Sequence, residues 1–405
     1  MSKFLFLYQS LHKFVRLINI LLIYLIIGLG VDKIDQNILD GLRSWVECES
    51  PTSDFKAVNR MMTLAETDWS SIGFDVERIP GRDGFGDHLS IKSSWGWENS
   101  LSNTGILILT HLDTVHPHGS FGEDRFVIDG DRVTGPGILD MKGGAYIAFQ
   151  ALKSIVSSTQ KPLLPIHILC TSDEEVGSPT SRSLIEDAGN SAKYILVTEP
   201  ARDGGKIVIS RRGVGRYKIV TRGLAAHAGV NHKDGSSAIR EMANQILKIE
   251  NMTDYARGVT LNVGKIKGGT ADNTIPDYCE ATVDLRVESS KLAIEIDSKL
   301  RSLKPLQENT QVLIEGKMNR PPFSQTKESR ELFDKASAFA TEVGFELVGM
   351  HTGGGSDGSF LAEKVPTLDG LGVDGVGPHT LTEYLKISSL QPRMNLLRKL
   401  ILNLT

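Results

Sequence analysis

The sequence predicts a two-part α/β protein, a mixed-sheet α/β domain interrupted by an inserted α+β domain of about a hundred residues. Two observations carry this. Aliphatic runs end in polar clusters: TGILILT (104–110) runs into HLD, LPIHILCT (164–171) into SDEE, and KYILVT (193–198) into EP. Between about 210 and 320 the texture changes, and RRGVGRYKIVTRG and TLNVGKIKGGT read as antiparallel strands with glycine turns. The length of 405 residues agrees, being too great for one ordinary core.

The chain divides into four stretches. Residues 1–31 hold LINILLIYLIIGLGV, an apolar run of fifteen residues preceded by Lys3, Lys13 and Arg16. A spanning helix needs roughly 20 such residues and a signal-peptide core roughly 7–15. The run fits the second length, but no AxA cleavage pattern follows it. Three readings stay open: a signal or anchor, a mis-assigned start, and a cytoplasmic protein whose folded part begins near Asp32. A cytoplasmic location is the first expectation. A periplasmic, secreted or membrane-anchored location is the alternative, with membrane contact only if 17–31 act as an anchor.

Residues 32–209 form the first part of the larger domain. There KGGAYIAFQALKSIV (142–156) has helical character and opens on glycines. Strand, helix, strand, strand with polar strand ends is the pattern of α/β sheets, whose sites gather outside the carboxyl ends of the strands. Residues 210–320 form the insert. DYCEATVDLRVE (277–288) alternates in patches, and SSAIREMANQILKIE places Ile239, Met242, Ile246 and Ile249 on one helical face, read as core. Residues 321–405 return to the first domain, with a helix near 328–342 and a glycine-rich HTGGGSDGS at 351–359.

Composition excludes several classes. Hydrophobic residues at 40% and charged residues at 23% describe a soluble globular chain. A net charge of −4 and a pI of about 6.2 give no reason to expect nucleic acid. Cys48, Cys170 and Cys279 are scattered and read as buried free thiols, with neither a disulfide framework nor a CxxC site.

The residues that carry chemistry stand in five places: His111 and Asp113 in THLDTVHPHG, Asp140 in GPGILDMKGG, Glu174 and Glu175 in TSDEEVGS, Glu199 in VTEP, and His379 in GVGPHT. Singly, each is weak, because most lone carboxylates are surface charges. Together, histidines and carboxylates make a nitrogen and oxygen donor set that suits Zn²⁺, with Co²⁺ or Mn²⁺ possible. Five ligands allow one carboxylate to bridge two ions roughly 3.5–4 Å apart. Asp113 lies two residues after His111, on the same side of an extended segment, and can accept its second ring N–H. Adjacent side chains such as Glu174 and Glu175 face different ways. One can bind metal while its neighbour serves as the general base that activates water. Spacing alone does not say which.

The run HxDTV, GPGxxDxKGG, Glu-Glu, Glu-Pro and a late histidine resembles the M20 family of metallopeptidases, most of all its glutamate carboxypeptidase branch. The resemblance extends from about residue 36 to the end. It implies a zinc-peptidase catalytic domain, with the insert as lid and dimerisation domain. Asp140 would bridge two Zn²⁺, with Glu175 and His379 completing one site and His111 and Glu199 the other. Glu174 would be the base, Asp113 would orient His111, and the Asp140–Met141 peptide would be cis. His227 in GLAAHAG would stabilise the oxyanion across a homodimer. Asn273, Arg286, Lys206 and Gly354 would contact substrate, and Arg320 would take its carboxylate by a planar, two-pronged contact. The branch often has a second aspartate where this chain has Met141, a departure that bears on substrate.

The expected function is therefore release of a C-terminal amino acid, glutamate first, from N-acyl or peptidic substrates. The alternative is an N-acyl amino acid deacylase of the acetylornithine or succinyl-diaminopimelate type, and Arg320 separates the two. A metal-free binding protein on the same fold would have lost ligands, and none is lost. A membrane-tethered assembly protein would depend on residues 1–31.

Overall fold

The computed structural model describes residues 38–97 and 104–405. The apolar run at 17–31 lies outside them, and with it the question of a signal or anchor. No helix among the described residues is long and apolar enough to cross a membrane.

The larger domain is built on a six-stranded mixed sheet. Its order is Asp75–Ile79, His88–Lys92, Ile166–Thr171, Gly105–His111, Ala192–Val197 and Thr367–Leu368. The first three strands pair antiparallel, and the remaining pairings are parallel. Gly105–His111 is buried along its whole length because both faces of the sheet are covered. Alternate side chains serve different cores. Ile106 and Ile108 pack with Met61, Trp69, Phe149 and Leu397, while Leu107 and Leu109 pack with Ile185, Ile195 and Phe360.

The helix opened by glycines is Gly143–Val156, and the helix expected near 328–342 is Lys327–Glu342. Two further helices carry much of the first core. Phe55–Ser71 starts where the Asp54 side chain accepts the N–H of Lys56 and Ala57. The chain ends in the helix Ile387–Asn403, with Pro392 inside it. Proline removes a backbone donor and argues against a helix from sequence, yet Leu390, Leu396, Leu397, Leu400 and Ile401 are all buried along it.

The inserted part is a four-stranded antiparallel sheet in the order Thr260–Gly268, Tyr278–Val287, Gly213–Arg222, Gln311–Arg320. The helices Ala238–Glu250 and Ser290–Arg301 pack on it, capped by the Ser237 and Ser289 hydroxyls. Tyr278–Val287 alternates strictly: Cys279, Ala281, Val283, Leu285 and Val287 are buried in a core of its own. One expected face is corrected. Met242 and Ile249 are buried, but Ile239 is exposed, and Glu241 and Gln245 are buried instead. The Glu241 carboxylate can be buried because it accepts the N–H groups of Leu306 and Gln307 and the amide of Gln245. Cys170 and Cys279 are buried free thiols, whereas Cys48 is only half-buried.

Candidate metal centre

The parallel strands deliver the site. His111 is the last residue of Gly105–His111, Glu174 and Glu175 follow Ile166–Thr171 on a short helical turn, and Glu199 follows Ala192–Val197. Asp140 arrives on the loop before Gly143–Val156, and the Asp140–Met141 peptide is cis, as the resemblance implies. His379 comes from a turn near the C-terminus, in the left-handed region at φ +64°, where histidine is among the better tolerated residues.

These side chains converge into two groups that share Asp140: His111, Asp140 and Glu199, and Asp140, Glu175 and His379. In each group the candidate ligand atoms lie within 4.8 Å of one another. Asp140 offers one oxygen to each side. Its Oδ1 is 3.4 Å from His111 Nε2, and its Oδ2 is 3.4 Å from His379 Nε2. Glu175 Oε2 lies 3.1 Å from His379 Nε2, and Glu199 Oε1 lies 3.7 Å from His111 Nε2.

Asp113 is fully buried and does more than hold a ring. His111 Nδ1 lies 3.0 Å from the Asp113 backbone carbonyl and 3.4 Å from its carboxylate, so the main chain is the nearer acceptor. The carboxylate accepts the Thr52 hydroxyl at 2.8 Å and the N–H groups of Glu174 and Glu175 at 3.3 Å each. One residue thus ties the His111 strand to the glutamate turn. Asp173 fixes the other end of that turn by accepting from Thr180 and Ser181.

The two glutamates diverge. Glu175 turns to His379 and Asp140, whereas Glu174 Oε1 accepts from Arg320 Nη2 at 2.6 Å. Arg320 is buried rather than open, and its Nη1 lies 2.9 Å from Asp357 Oδ1. Its face rests on the Phe360 ring, 4.8 Å from the centroid. Arg320, expected to take a substrate carboxylate, is thus buried beside two carboxylates of its own chain.

The remaining expected contacts scatter. Arg286 pairs with Asp284 and donates to the Gly353 carbonyl at 3.1 Å, reaching from the inserted sheet to the glycine-rich loop. The Gly354 carbonyl accepts from Arg211 Nη1 at 3.2 Å. Exposed Asn273 accepts the Ala228 N–H at 2.8 Å, beside His227. Lys206 closes a turn with Arg202 through its backbone. His227 is exposed, and its Nδ1 accepts the N–H groups of Gly229 and Val230. Met141, where the family pattern is departed from, is buried, and its sulfur accepts the His111 N–H at 3.3 Å.

Sequence reasoning missed the supports. Arg211 and Asp369 form a fully buried two-pronged pair at 2.7 and 2.8 Å, and Arg211 also holds the Gly355 carbonyl. Asp357 gathers Arg320, Thr171 and Ser178. Glu383 is buried behind Asp140. Glu383 follows His379 by four residues, and Asp357 lies inside the glycine-rich loop; that adjacency was the available signal.

The electrostatics ask for a cation. Burial raises the pKa of Glu174, that of Glu199 well above the usual carboxylate range, and that of Glu175 to about 8. Burial opposes protonation of His111, but the neighbouring Asp113 and Asp140 carboxylates outweigh it and hold its pKa well above the ordinary value. Hydrogen bonds to Asp140 and Glu175 pull His379 up to about 11. Burial works against the charge on Asp140, yet the two histidines beside it hold its pKa below the usual range. His111 Nε2 and Glu175 Oε1 are buried without hydrogen-bond partners. Unpaired buried donors and acceptors that face one another through shared carboxylates fit a pair of metal ions.

Comparison with known proteins agrees with this geometry. The family described as Peptidase family M20/M25/M40 matches residues 107–403. Carboxypeptidase G2 of Pseudomonas sp. (strain RS-16) is 28% identical over 379 residues, covering 91% of this chain and 89% of that protein. Acetylornithine deacetylase of Buchnera aphidicola subsp. Schizaphis graminum is 27% identical, covering 85% and 90%. A solved M20 family metallo-carboxypeptidase from Sulfolobus solfataricus shares the fold, with a TM-score of 0.72 at 16% identity over 90% and 98% of the two chains.

Proposed function

We propose, on the premise that this chain belongs to peptidase family M20/M25/M40, that it is a dinuclear zinc hydrolase releasing a C-terminal amino acid, glutamate first, from N-acyl or peptidic substrates. The observation that carries the reading is that Asp140 belongs to both ligand groups while Glu174, beside Glu175, belongs to neither. His111, Asp140 and Glu199 would hold one ion, and Asp140, Glu175 and His379 the other. Such an ion pair supplies Lewis-acid chemistry, lowering the pKa of water and polarising a carbonyl.

The chain's own residues do the rest. Glu174, held at one oxygen by Arg320, takes the proton of the attacking water and returns it to the leaving amine nitrogen. With Nδ1 accepting two backbone N–H groups, the neutral His227 ring carries its proton on Nε2. That N–H is free to donate to the developing oxyanion of the substrate. Among the described residues the ring's hydrogen bonds go only to its own loop, which supports service to a partner subunit through the inserted domain.

A second reading is the deacylase. The pairing of Arg320 with Glu174 and Asp357 favours it, because Arg320 is the residue expected to take a glutamate carboxylate. A hydrolysis screen of N-acyl amino acids and glutamyl peptides with zinc-loaded protein tests both readings. Glutamate release is the expected result, and turnover confined to N-acetyl or N-succinyl basic amino acids would select the deacylase. Chelator-insensitive turnover would contradict the metal reading.

A further inference from the structure

We infer that Glu383 is a positioning residue: its carboxylate clamps the backbone of the loop bearing Asp140 and so fixes where the Asp140 side chain stands between the two ligand groups. The inference rests on the metal-centre reading above.

Glu383 has no exposed surface. A carboxylate in that setting costs several kcal/mol unless its oxygens are satisfied, and here both are. Oε1 accepts the N–H of Leu139 at 2.7 Å and of Asp140 at 2.9 Å. Oε2 accepts from His116 Nε2 at 2.5 Å and from the N–H of Gly137 at 3.3 Å. Three of the four donors are consecutive or near-consecutive backbone groups of one loop, and one belongs to Asp140 itself. With its N–H pinned toward Glu383, the Asp140 residue presents its carboxylate to His111 and His379 on the other side.

The loop has little freedom to compensate. Gly137 sits at φ +68°, and a β-carbon there would lie 2.4 Å from Thr114 Cγ2. The fully buried Lys142 is held by the Cys48 carbonyl at 2.8 Å. Glu383 is also on the same turn as His379: the Glu383 N–H donates to the Thr380 carbonyl, and the Thr380 N–H to the Gly377 carbonyl. One short segment therefore delivers a ligand of one group and clamps the residue shared by both. His116 brings the segment after the His111 strand into the same arrangement, its ring edge-on to Phe121 at 5.0 Å. Three distant parts of the chain that each carry a ligand meet at this carboxylate.

The test compares wild type, Glu383→Gln, Glu383→Asp and His116→Gln as full chains. An amide at 383 keeps the volume but turns an NH₂ toward one or more N–H donors. Zinc per chain, Co²⁺ affinity and the visible absorption of the cobalt-loaded protein are measured. So is amide hydrogen exchange of residues 137–142 in metal-free protein. Glu383→Gln should stay folded by circular dichroism, weaken Co²⁺ binding roughly 10–100-fold and shift the cobalt bands. Exchange should rise at 137–142 and nowhere else, and Glu383→Asp should recover part of each effect. If Glu383→Gln fails to fold, His116→Gln, which leaves the carboxylate with three donors, should show the same changes more weakly.

Wild-type cobalt binding, spectrum and exchange in either folded variant would overturn the clamp. A wild-type protein that binds no metal would overturn the metal-centre reading instead, and the exchange data would still decide the clamp.

Discussion

Arg320 Nη2 bonds Glu174 twice, to the side-chain Oε1 at 2.6 Å and to the backbone carbonyl at 3.2 Å, while Ser178 Oγ lies 2.9 Å away. The guanidinium therefore sets the direction of the second Glu174 oxygen, the one that would meet water in the proposed mechanism. Arg320→Ala should lower kcat at least tenfold as well as raise KM, because a misplaced base loses its near-attack geometry. Arg320→Lys should lie between, since an ammonium cannot reproduce the fork. A rise in KM with kcat unchanged would assign Arg320 to substrate binding alone.

The position of His227 makes a prediction about subunits. Chains carrying His227→Ala and chains carrying Glu174→Ala should each be inactive as homodimers. In a mixed dimer, one site has Glu174 from its own chain and His227 from the partner. Random mixing of equal amounts should restore roughly a quarter of the wild-type sites by the symmetry of a two-fold dimer. No recovery on mixing would place His227 in its own chain's site.

Acidity of the metal-free site predicts a pH-dependent stability. Glu175 has a folded pKa of about 8 against 4.5, so its contribution is full below about 4.5 and is lost as pH rises through about 8. Glu174 and Glu199 shift in the same direction. His379, raised from 6.5 to about 11, loses its contribution above 6.5, with solvent screening reducing the effect because its side chain is 55% exposed. Asp140 acts oppositely, but its contribution is already complete above 3.8. Metal binds the deprotonated ligands of the folded state. The Tm of metal-free protein should fall from pH 5.5 to 8.5, and the gap to zinc-loaded protein should widen. A gap that narrows with pH would contradict the ligand set.

The Arg211–Asp369 pair supports the glycine-rich loop from below, because Arg211 also holds the Gly354 and Gly355 carbonyls. Removing one partner leaves an uncompensated buried charge. Asp369→Asn or Arg211→Met should cost about 3–5 kcal/mol, read from urea denaturation. The double variant Arg211→Met with Asp369→Leu should recover part of that loss.

Much of the site was legible because its ligands follow aliphatic strands whose ends are visible in the sequence. His111, the glutamate pair and Glu199 each stand at such an end, and the resemblance joined Asp140 and His379 to them. The supports were not legible in the same way. Glu383, Asp357 and Asp369 are lone carboxylates whose importance depends on burial and on partners far away in sequence, which periodicity does not report. The Ile387–Asn403 helix was obscured by Pro392, and the Ile239 face by a carboxylate buried through hydrogen bonds to a distant turn. Arg320 was found, but not its engagement: residue type predicts what a guanidinium can bind, and only the fold decides what reaches it first.

The proposed division of labour between Glu174 and Glu175 is read from zinc per chain together with turnover for Glu174→Ala and Glu175→Ala. Glu174→Ala should keep the wild-type zinc content and lose activity by a factor of roughly 10²–10⁴, whereas Glu175→Ala should lose zinc. Turnover surviving in Glu174→Ala, or zinc lost from it while Glu175→Ala keeps its full content, would contradict the account.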